Sequence, residues 1–228
     1  MTTGERPGKR AAGAGGLARR LRLVVLTRPR PACGRPLEAV VRACVEAGAT
    51  AVQLRDKEAD AADLYRTARR IVPLVEAAGA LLFVNDRFDV ALAAGAHGVH
   101  LGPADLPVAA VRAAVPPGFL IGASTDDPQE ARSLAAAGAD YLGVGAVYGT
   151  RSKPGLADEA IGPARVAAVR AAAGVPCVGI GGITARNAGE VFAAADGVAV
   201  LSAVMSAPDP AAAVRAVLAV RASRSVSG

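Results

Sequence analysis

The chain has 228 residues, of which 52% are hydrophobic, so it can bury a large core without disulfides or a structural metal. No apolar run reaches the roughly 18 residues of a membrane-spanning helix, and only 3% of the residues are aromatic, which argues against a stacking platform for single-stranded nucleic acid. The net charge of +6 arises at the start of the chain, because residues 1–35 carry +8 and residues 36–228 carry −2.

The first 20 residues are rich in Gly, Ala and Arg, and this composition predicts a disordered basic tail. A polybasic segment can bind nucleic acid or anionic surfaces, but a solvated tail is the favoured interpretation. A catalytic domain is expected over residues 21–222, with a short C-terminal tail over 223–228. No long apolar stretch follows the first charges, so a secretory signal is not expected.

The three cysteines, Cys33, Cys44 and Cys177, have no CxxC spacing. Their pattern indicates neither a disulfide framework nor a zinc site. Cys44 lies in a helical pattern and Cys177 in a strand, so both are predicted to be buried apolar side chains in a reducing cytoplasm.

From residue 21 onward, short apolar strands alternate with helical patterns in eight units. The predicted strands cover residues 21–26, 51–55, 81–86, 98–101, 119–123, 141–144, 177–180 and 198–202. The predicted helices cover residues 37–47, 61–77, 88–94, 107–114, 128–137, 163–173, 187–194 and 210–219. Most of these helices end in small residues and a glycine, which is typical of helix C-caps.

The strands are continuous apolar runs, a pattern typical of parallel sheets that are covered on both faces. Eight strand–helix units with right-handed crossovers predict a (β/α)8 TIM barrel, an α/β fold in a single domain. The alternative is an open doubly wound sheet, but no GxGxxG motif opens a helix after the first strand.

In such a barrel the site lies at the C-terminal ends of the strands, so polar residues that follow strands are candidates. Arg55, Lys57 and Lys153 are cations suited to a polyanion. Asp86 and Asp105 follow neighbouring strands, and such a pair beside phosphate fits Mg2+ held by carboxylates and phosphate oxygens. Alternatively, each carboxylate could cap the helix that follows it.

Two further strand ends indicate a second anion site. Gly181-Gly182 and Ser202 follow the last two strands, where barrels commonly bind phosphate through backbone N–H groups. The rim therefore predicts a cationic, metal-bearing site for a diphosphate and a glycine-built site for a monophosphate. His97 and His100 are not expected to share a metal, because their spacing places one towards the barrel interior and the other against a helix.

Segments in a specific order and spacing over about residues 21–220 resemble the thiamine-phosphate synthase family. They are Gln53-Leu54-Arg55-Asp56-Lys57, Val84-Asn85-Asp86-Arg87, Gly98-Val99-His100-Leu101-Gly102 with Asp105, Ile121-Gly122-Ala123-Ser124-Thr125, Thr150 to Lys153, Gly181-Gly182-Ile183 and Ser202-Ala203. The resemblance implies an enzyme that couples 4-amino-2-methyl-5-hydroxymethylpyrimidine diphosphate with 4-methyl-5-hydroxyethylthiazole phosphate. Thiamine phosphate forms and pyrophosphate leaves.

The resemblance also implies residue roles, with Mg2+ as the cofactor on Asp86 and Asp105. The pyrimidine diphosphate would be bound by Gln53, Arg55, Lys57, Asn85, Ser124 and Lys153, of which Arg55, Lys57, Ser124 and Lys153 would be catalytic. The thiazole phosphate would be bound by Thr150, Arg151, Ser152, Gly182, Leu201 and Ser202. The expected partners are these two small phosphorylated substrates, with no nucleic acid and no membrane, and a homo-oligomer is compatible with this reading.

Two positions depart from the family pattern. Asp126 stands where the family often has His, and Gly149-Thr150-Arg151-Ser152-Lys153 replaces a common Pro-Thr-x-Thr-Lys. Two alternatives stay open: a thiazole tautomerase of the same fold, whose members tend to lose the metal and diphosphate residues, and a noncatalytic phospho-ligand-binding barrel.

Overall fold

The structure is a computed structural model that describes residues 14–149 and 160–222. Eight parallel strands close into a barrel in chain order, with β8 pairing back to β1. The strands are β1 (Leu23–Leu26), β2 (Ala51–Leu54), β3 (Leu81–Asn85), β4 (Gly98–Leu101), β5 (Leu120–Ser124), β6 (Tyr141–Val144), β7 (Cys177–Ile180) and β8 (Gly197–Val200). The closed parallel barrel confirms the predicted (β/α)8 fold.

The helices surround this barrel. They are α1 (Ala14–Arg20), α2 (Leu37–Glu46), α3 (Ala61–Ala77), α4 (Phe88–Ala94), α5 (Val108–Ala114), α6 (Pro128–Ala136), α7 (Gly162–Ala173), α8 (Ala188–Ala194), α9 (Ser202–Met205) and α10 (Pro210–Ala222). All eight predicted helices form, with ends within three residues of the expectation. In the described parts of the chain, no helix is long and apolar enough to cross a membrane.

Alternation along each strand divides the core into two parts. One side of each strand packs against the helices, as Val25 and Val52 do, within the larger hydrophobic cluster. The other side points into the barrel, where Val24, Phe83 and Tyr141 belong to a smaller inner cluster. Because side chains alternate with a period of two, the inward positions of each strand continue upward to the C-terminal rim.

Helix α1 corrects the expectation of a disordered tail up to residue 20. Residues Ala14–Arg20 are helical, and Leu17 and Leu21 belong to the inner cluster, at 9% and 0% exposure. Leucines four residues apart share one face of a helix, so this pair covers the inner core at the N-terminal end of the barrel. Residues 1–13 lie outside the described residues.

The residue directly before each even-numbered strand accepts a backbone N–H bond from the preceding odd-numbered strand. The pairs are Leu23 N to Thr50 Oγ1 at 3.0 Å, Leu82 N to His97 Nδ1 at 3.1 Å, Ile121 N to Asp140 Oδ2 at 2.7 Å and Cys177 N to Asp196 Oδ2 at 2.9 Å. Four side chains of three residue types therefore satisfy the equivalent, otherwise open backbone donor in four strand pairs. This repeated contact fixes the register of neighbouring strands at the face opposite the rim.

We expect Asp140→Ala to lower the free energy of unfolding by about 2–3 kcal/mol, because a buried N–H loses its acceptor. The carboxylate also holds Arg112 at 2.5 Å, and Arg112 in turn donates to the carbonyl oxygen of Phe119. Urea unfolding measures the loss. As a control, Asp63→Ala removes an exposed ion pair with Arg66 and should cost less than about 1 kcal/mol. Equal stability of the two variants would contradict a structural role for the Asp140 contact.

Candidate active site

A cavity of about 290 Å3 opens at the C-terminal ends of the strands, and every strand contributes to its wall. Ten of the sequence-predicted site residues line it. They are Gln53, Arg55, Lys57, Asn85, Asp86, Asp105, Ser124, Gly182, Leu201 and Ser202. The remaining four, Thr150, Arg151, Ser152 and Lys153, lie outside the described residues.

One wall of the cavity carries cations on the loop that follows β2. The backbone N–H of Arg55 donates to Thr27 Oγ1 at 3.0 Å, and Thr27 is fully buried. This bond ties the start of the loop to the end of β1, so the guanidinium extends from an anchored backbone. The Lys57 Nζ lies 3.6 Å from Asp86 Oδ2, which brings a cation and a carboxylate together at one edge of the cavity.

Two carboxylates face each other beside these cations. Asp86 has a backbone φ of 65°, and its N–H donates to the His100 carbonyl oxygen at 2.8 Å. The pKa of Asp86 is raised to about 6, because the carboxyl is partly buried and hydrogen-bonded to Asp105, with Lys57 opposing the shift. Ionising both acids therefore costs free energy unless another positive charge is added.

Neither acid caps a helix, so the capping alternative is wrong. Helix α4 begins after Arg87 and helix α5 after Pro107, and neither has a side-chain cap. Asp105 Oδ2 instead accepts from the Gly102 N–H at 2.6 Å. Both carboxylates are held in the loops after β3 and β4 and remain available to the cavity.

The donor chemistry of this acidic pair fits a hard cation. Mg2+ takes oxygen ligands and is commonly held by one or two carboxylates, the rest of its shell being water and substrate phosphate. Among the residues that the structure describes, no group of three or more His, Cys, Asp or Glu side chains could hold a metal alone. An ion on Asp86 and Asp105 would therefore need oxygens from a bound substrate or water.

The opposite wall is built from backbone at the ends of β7 and β8. Gly181 and Gly182 have φ angles of 102° and 63°, a region that favours glycine. A Cβ on Gly182 would lie 2.7 Å from Tyr148 Cβ, so the two loops pass too close for a side chain. Helix α9 begins at Ser202, and phosphate sites of barrels commonly form between these two loops.

His100 was not predicted to line the cavity, because its spacing from His97 was interpreted only as evidence against a shared metal site. It lies within β4, lines the cavity floor and is 8% exposed. The prediction that one of the two histidines faces the barrel is confirmed, and the strand alternation was the signal for it. His97 accepts from the Leu82 backbone. The apolar lining residues Leu26, Ile180 and Ala199 were also missed.

Asp126, the departure from the family pattern, is exposed and does not line the cavity. Its backbone carbonyl accepts from Arg165 Nε at 2.7 Å, which ties the loop after β5 to helix α7. The Asp126 carboxylate therefore does not add a negative charge to the cavity wall.

The cysteines stay out of the site, as expected of buried apolar side chains. Cys44 and Cys177 are fully buried, and burial raises the pKa of each thiol to about 12. Neither residue lines the cavity. A thiolate nucleophile is therefore not part of the site that the structure describes.

Known proteins resemble the chain over nearly all of this fold. A family model described as thiamine monophosphate synthase matches residues 23–204. The thiamine-phosphate synthase of Moorella thermoacetica is 49% identical over 183 residues, or 80% of this chain and 87% of the relative. That of Haloarcula marismortui is 45% identical over 195 residues, or 84% and 92%.

Solved structures give the same picture. Thiamine phosphate pyrophosphorylase from Pyrococcus furiosus superposes with a TM-score of 0.83 at 37% identity, covering 91% of this chain and 98% of that one. A 3-hexulose-6-phosphate synthase has a TM-score of 0.61 at 20% identity, with coverages of 88% and 99%. The second likeness shows the barrel fold alone.

Proposed function

The chain belongs to the thiamine monophosphate synthase family and is a transferase that forms thiamine phosphate from phosphorylated substrates, and we propose how its cavity does so. The proposal rests on one observation. Ten residues chosen from the sequence line a single cavity, with cations and carboxylates on one wall and a glycine backbone on the other.

The pyrimidine diphosphate would bind along the wall formed by β2 to β5. Arg55 and Lys57 supply positive charge for the diphosphate, while Asn85 and Ser124 offer hydrogen bonds from neighbouring strand ends. Lys153 is proposed to join them from the loop after β6. Fixed positive charge stabilises the negative charge that develops on the departing pyrophosphate, which makes it a better leaving group.

We assign Asp86 and Asp105 as the residues that would hold Mg2+ against the same diphosphate. When bound, the metal would neutralise charge on the phosphate oxygens. The raised pKa of Asp86 supports this assignment, because a site that disfavours two carboxylate charges gains the most from a nearby cation.

The thiazole phosphate would bind on the opposite wall. Gly182, Leu201 and Ser202 line it, and Thr150, Arg151 and Ser152 are proposed to complete it. In the reaction the carbon–oxygen bond to the diphosphate breaks, and pyrophosphate leaves with the bonding electrons. The aminopyrimidine ring stabilises the positive charge on its methylene carbon, and the thiazole nitrogen donates its lone pair to form the carbon–nitrogen bond.

The enzyme's part in this scheme is electrostatics and positioning. Holding two substrates in reacting geometry can supply several kcal/mol of the barrier, and the cavity places both phosphate sites around one interior. We propose that the reaction takes place in the cytoplasm, which the three free cysteines support.

The test is direct coupling. We expect the purified protein, Mg2+ and the two substrates to give thiamine phosphate and pyrophosphate in equal amounts, measured by chromatography, with no product after chelation by EDTA. Folded protein without product would contradict the proposal. Isomerisation of the thiazole without coupling would identify a tautomerase instead, and product formation in EDTA would remove the metal from the scheme.

A further inference from the structure

Four buried or partly buried polar side chains form one hydrogen-bonded chain across the floor of the cavity. His100 lies at its centre, with Nδ1 2.9 Å from the Tyr141 hydroxyl and Nε2 2.9 Å from Ser124 Oγ. The Tyr141 hydroxyl is also hydrogen-bonded to Gln53. The hydrogen-bonded network therefore links Gln53, Tyr141, His100 and Ser124 in that order, and it joins β2, β6, β4 and β5. Its two end members are proposed to bind substrate, whereas the inner members, His100 and Tyr141, have no proposed function.

The barrel is shaped around these two rings. A Cβ on Gly122 would lie 2.2 Å from Tyr141 Cζ, and a Cβ on Gly143 would lie 3.0 Å from His100 Cε1. Glycine weakens a strand interior and often marks a close approach by another group. Glycines on β5 and β6 thus provide the space that the network occupies.

The direction of the hydrogen bonds follows from counting protons. The His100 ring is 8% exposed and lies between two hydroxyl oxygens, and a neutral imidazole has one N–H to offer them. If Tyr141 donates to Nδ1, Nε2–H donates to Ser124 and the serine proton is free for a ligand. In the reverse direction Ser124 donates to Nε2 and can offer a ligand only lone pairs.

A diphosphate has only acceptor oxygens, so Ser124 can bind it only as a donor. This requires that Tyr141 donates to Nδ1 and that Nε2–H donates to Ser124. We propose that His100 and Tyr141 are positioning residues that hold Ser124 as a hydrogen-bond donor to the diphosphate. This inference rests on the proposed function, because it assumes that Ser124 binds that group. The same direction leaves the phenol oxygen to accept from the Gln53 amide N–H, which sets the orientation of that amide at the cavity.

The first test is a double-mutant cycle. We expect Tyr141→Phe to lower kcat/KM for the pyrimidine diphosphate about tenfold, the cost of one lost hydrogen bond in a buried network. In a Ser124→Ala background the same change should cost less than about twofold, because the group it positions is gone. Tyr65→Phe, at an exposed tyrosine on α3, is the matched control and should leave kinetics unchanged.

The outcomes of the cycle are distinct. If the losses in kcat/KM of the two single variants multiplied in the double variant, Tyr141 would act independently of Ser124. That result would overturn the inference. A Tyr141→Phe enzyme with wild-type kinetics would overturn it as well. Failure of the wild-type enzyme to couple its substrates would instead overturn the proposed function.

The second test reads the position of the proton on the His100 ring of the wild-type protein. The sequence has two histidines, so 15N-histidine labelling gives two rings, and His97→Gln assigns them. We expect the His100 ring to be the neutral Nε2–H tautomer at neutral pH with pyrophosphate bound. A His100 ring protonated at Nδ1 alone would reverse the hydrogen bonds and overturn the inference.

Discussion

Replacing Asp86 by Asn should reduce magnesium-dependent turnover by about 10³-fold, equivalent to about 4 kcal/mol of transition-state stabilisation. Asn keeps the size of the side chain and tolerates the φ of 65° at this position, so the loop after β3 should keep its shape. The change removes a charged oxygen ligand from the proposed metal site. Steady-state rates at several Mg2+ concentrations measure the effect.

The same variant should be no less stable than the wild type when metal is absent. The pKa of Asp86 in the folded chain is about 6, above its ordinary value of 3.8. The stability that this group contributes is therefore present at low pH and is lost as the pH rises through 6. At neutral pH Asp86 is ionised in a site that disfavours its charge, which destabilises the fold. Asn carries no charge, so thermal unfolding without Mg2+ should show an equal or higher Tm.

Asp126→Asn is the matched control, because it makes the same chemical change at an exposed carboxylate outside the cavity. It should change neither turnover nor the response to Mg2+. An Asp86→Asn enzyme that kept the wild-type dependence on Mg2+ would show that Asp86 is not a ligand, while a large fall in Tm would show a structural role.

Replacing Gly182 by Ala should raise the KM for the thiazole phosphate about tenfold and destabilise the fold by about 2–4 kcal/mol. The added methyl would meet Tyr148 Cβ at 2.7 Å and the Gly149 carbonyl oxygen at 2.9 Å. The loops after β6 and β7 would have to separate, and the phosphate site lies between them in the proposed scheme. The KM for the pyrimidine diphosphate should change much less.

Gly79→Ala separates backbone strain from this steric effect. Gly79 has a φ of 68°, close to the 63° of Gly182, but a Cβ there meets nothing within 4 Å. It should cost about 1 kcal/mol of stability and leave both KM values unchanged. Equal kinetic effects of the two substitutions would contradict a specific role for the Gly182 loop.

Local patterns predicted the eight helices and strands well, because helix ends and buried strands have strong signatures over a few residues. The missing elements were short. Helix α9 has four residues, too few to show a helical period. Helix α1 lies in a segment whose arginines suggest disorder, although Leu17 and Leu21 were a visible helical pair.

The candidate site was predictable because the fold imposes a rule on the chain. Once the strands are parallel and closed, the residues after them must meet at one rim, so Arg55, Asp86 and Ser124 could be grouped from sequence order alone. The hydrogen-bond partners of the site residues could not be predicted in this way. The hydrogen bonds of His100 reach 41 residues along the chain to Tyr141 and 24 residues to Ser124.

The sequence by itself determined the barrel, the order of its units and the residues delivered to the rim, because these depend on periodicity and on position along single strands. Only the tertiary structure decided which side chains pair. Thr50, His97, Asp140 and Asp196 are of three residue types, yet each meets the equivalent backbone donor at the N-terminal face. Barrel closure and strand register bring such partners together, and neither leaves a pattern in neighbouring residues.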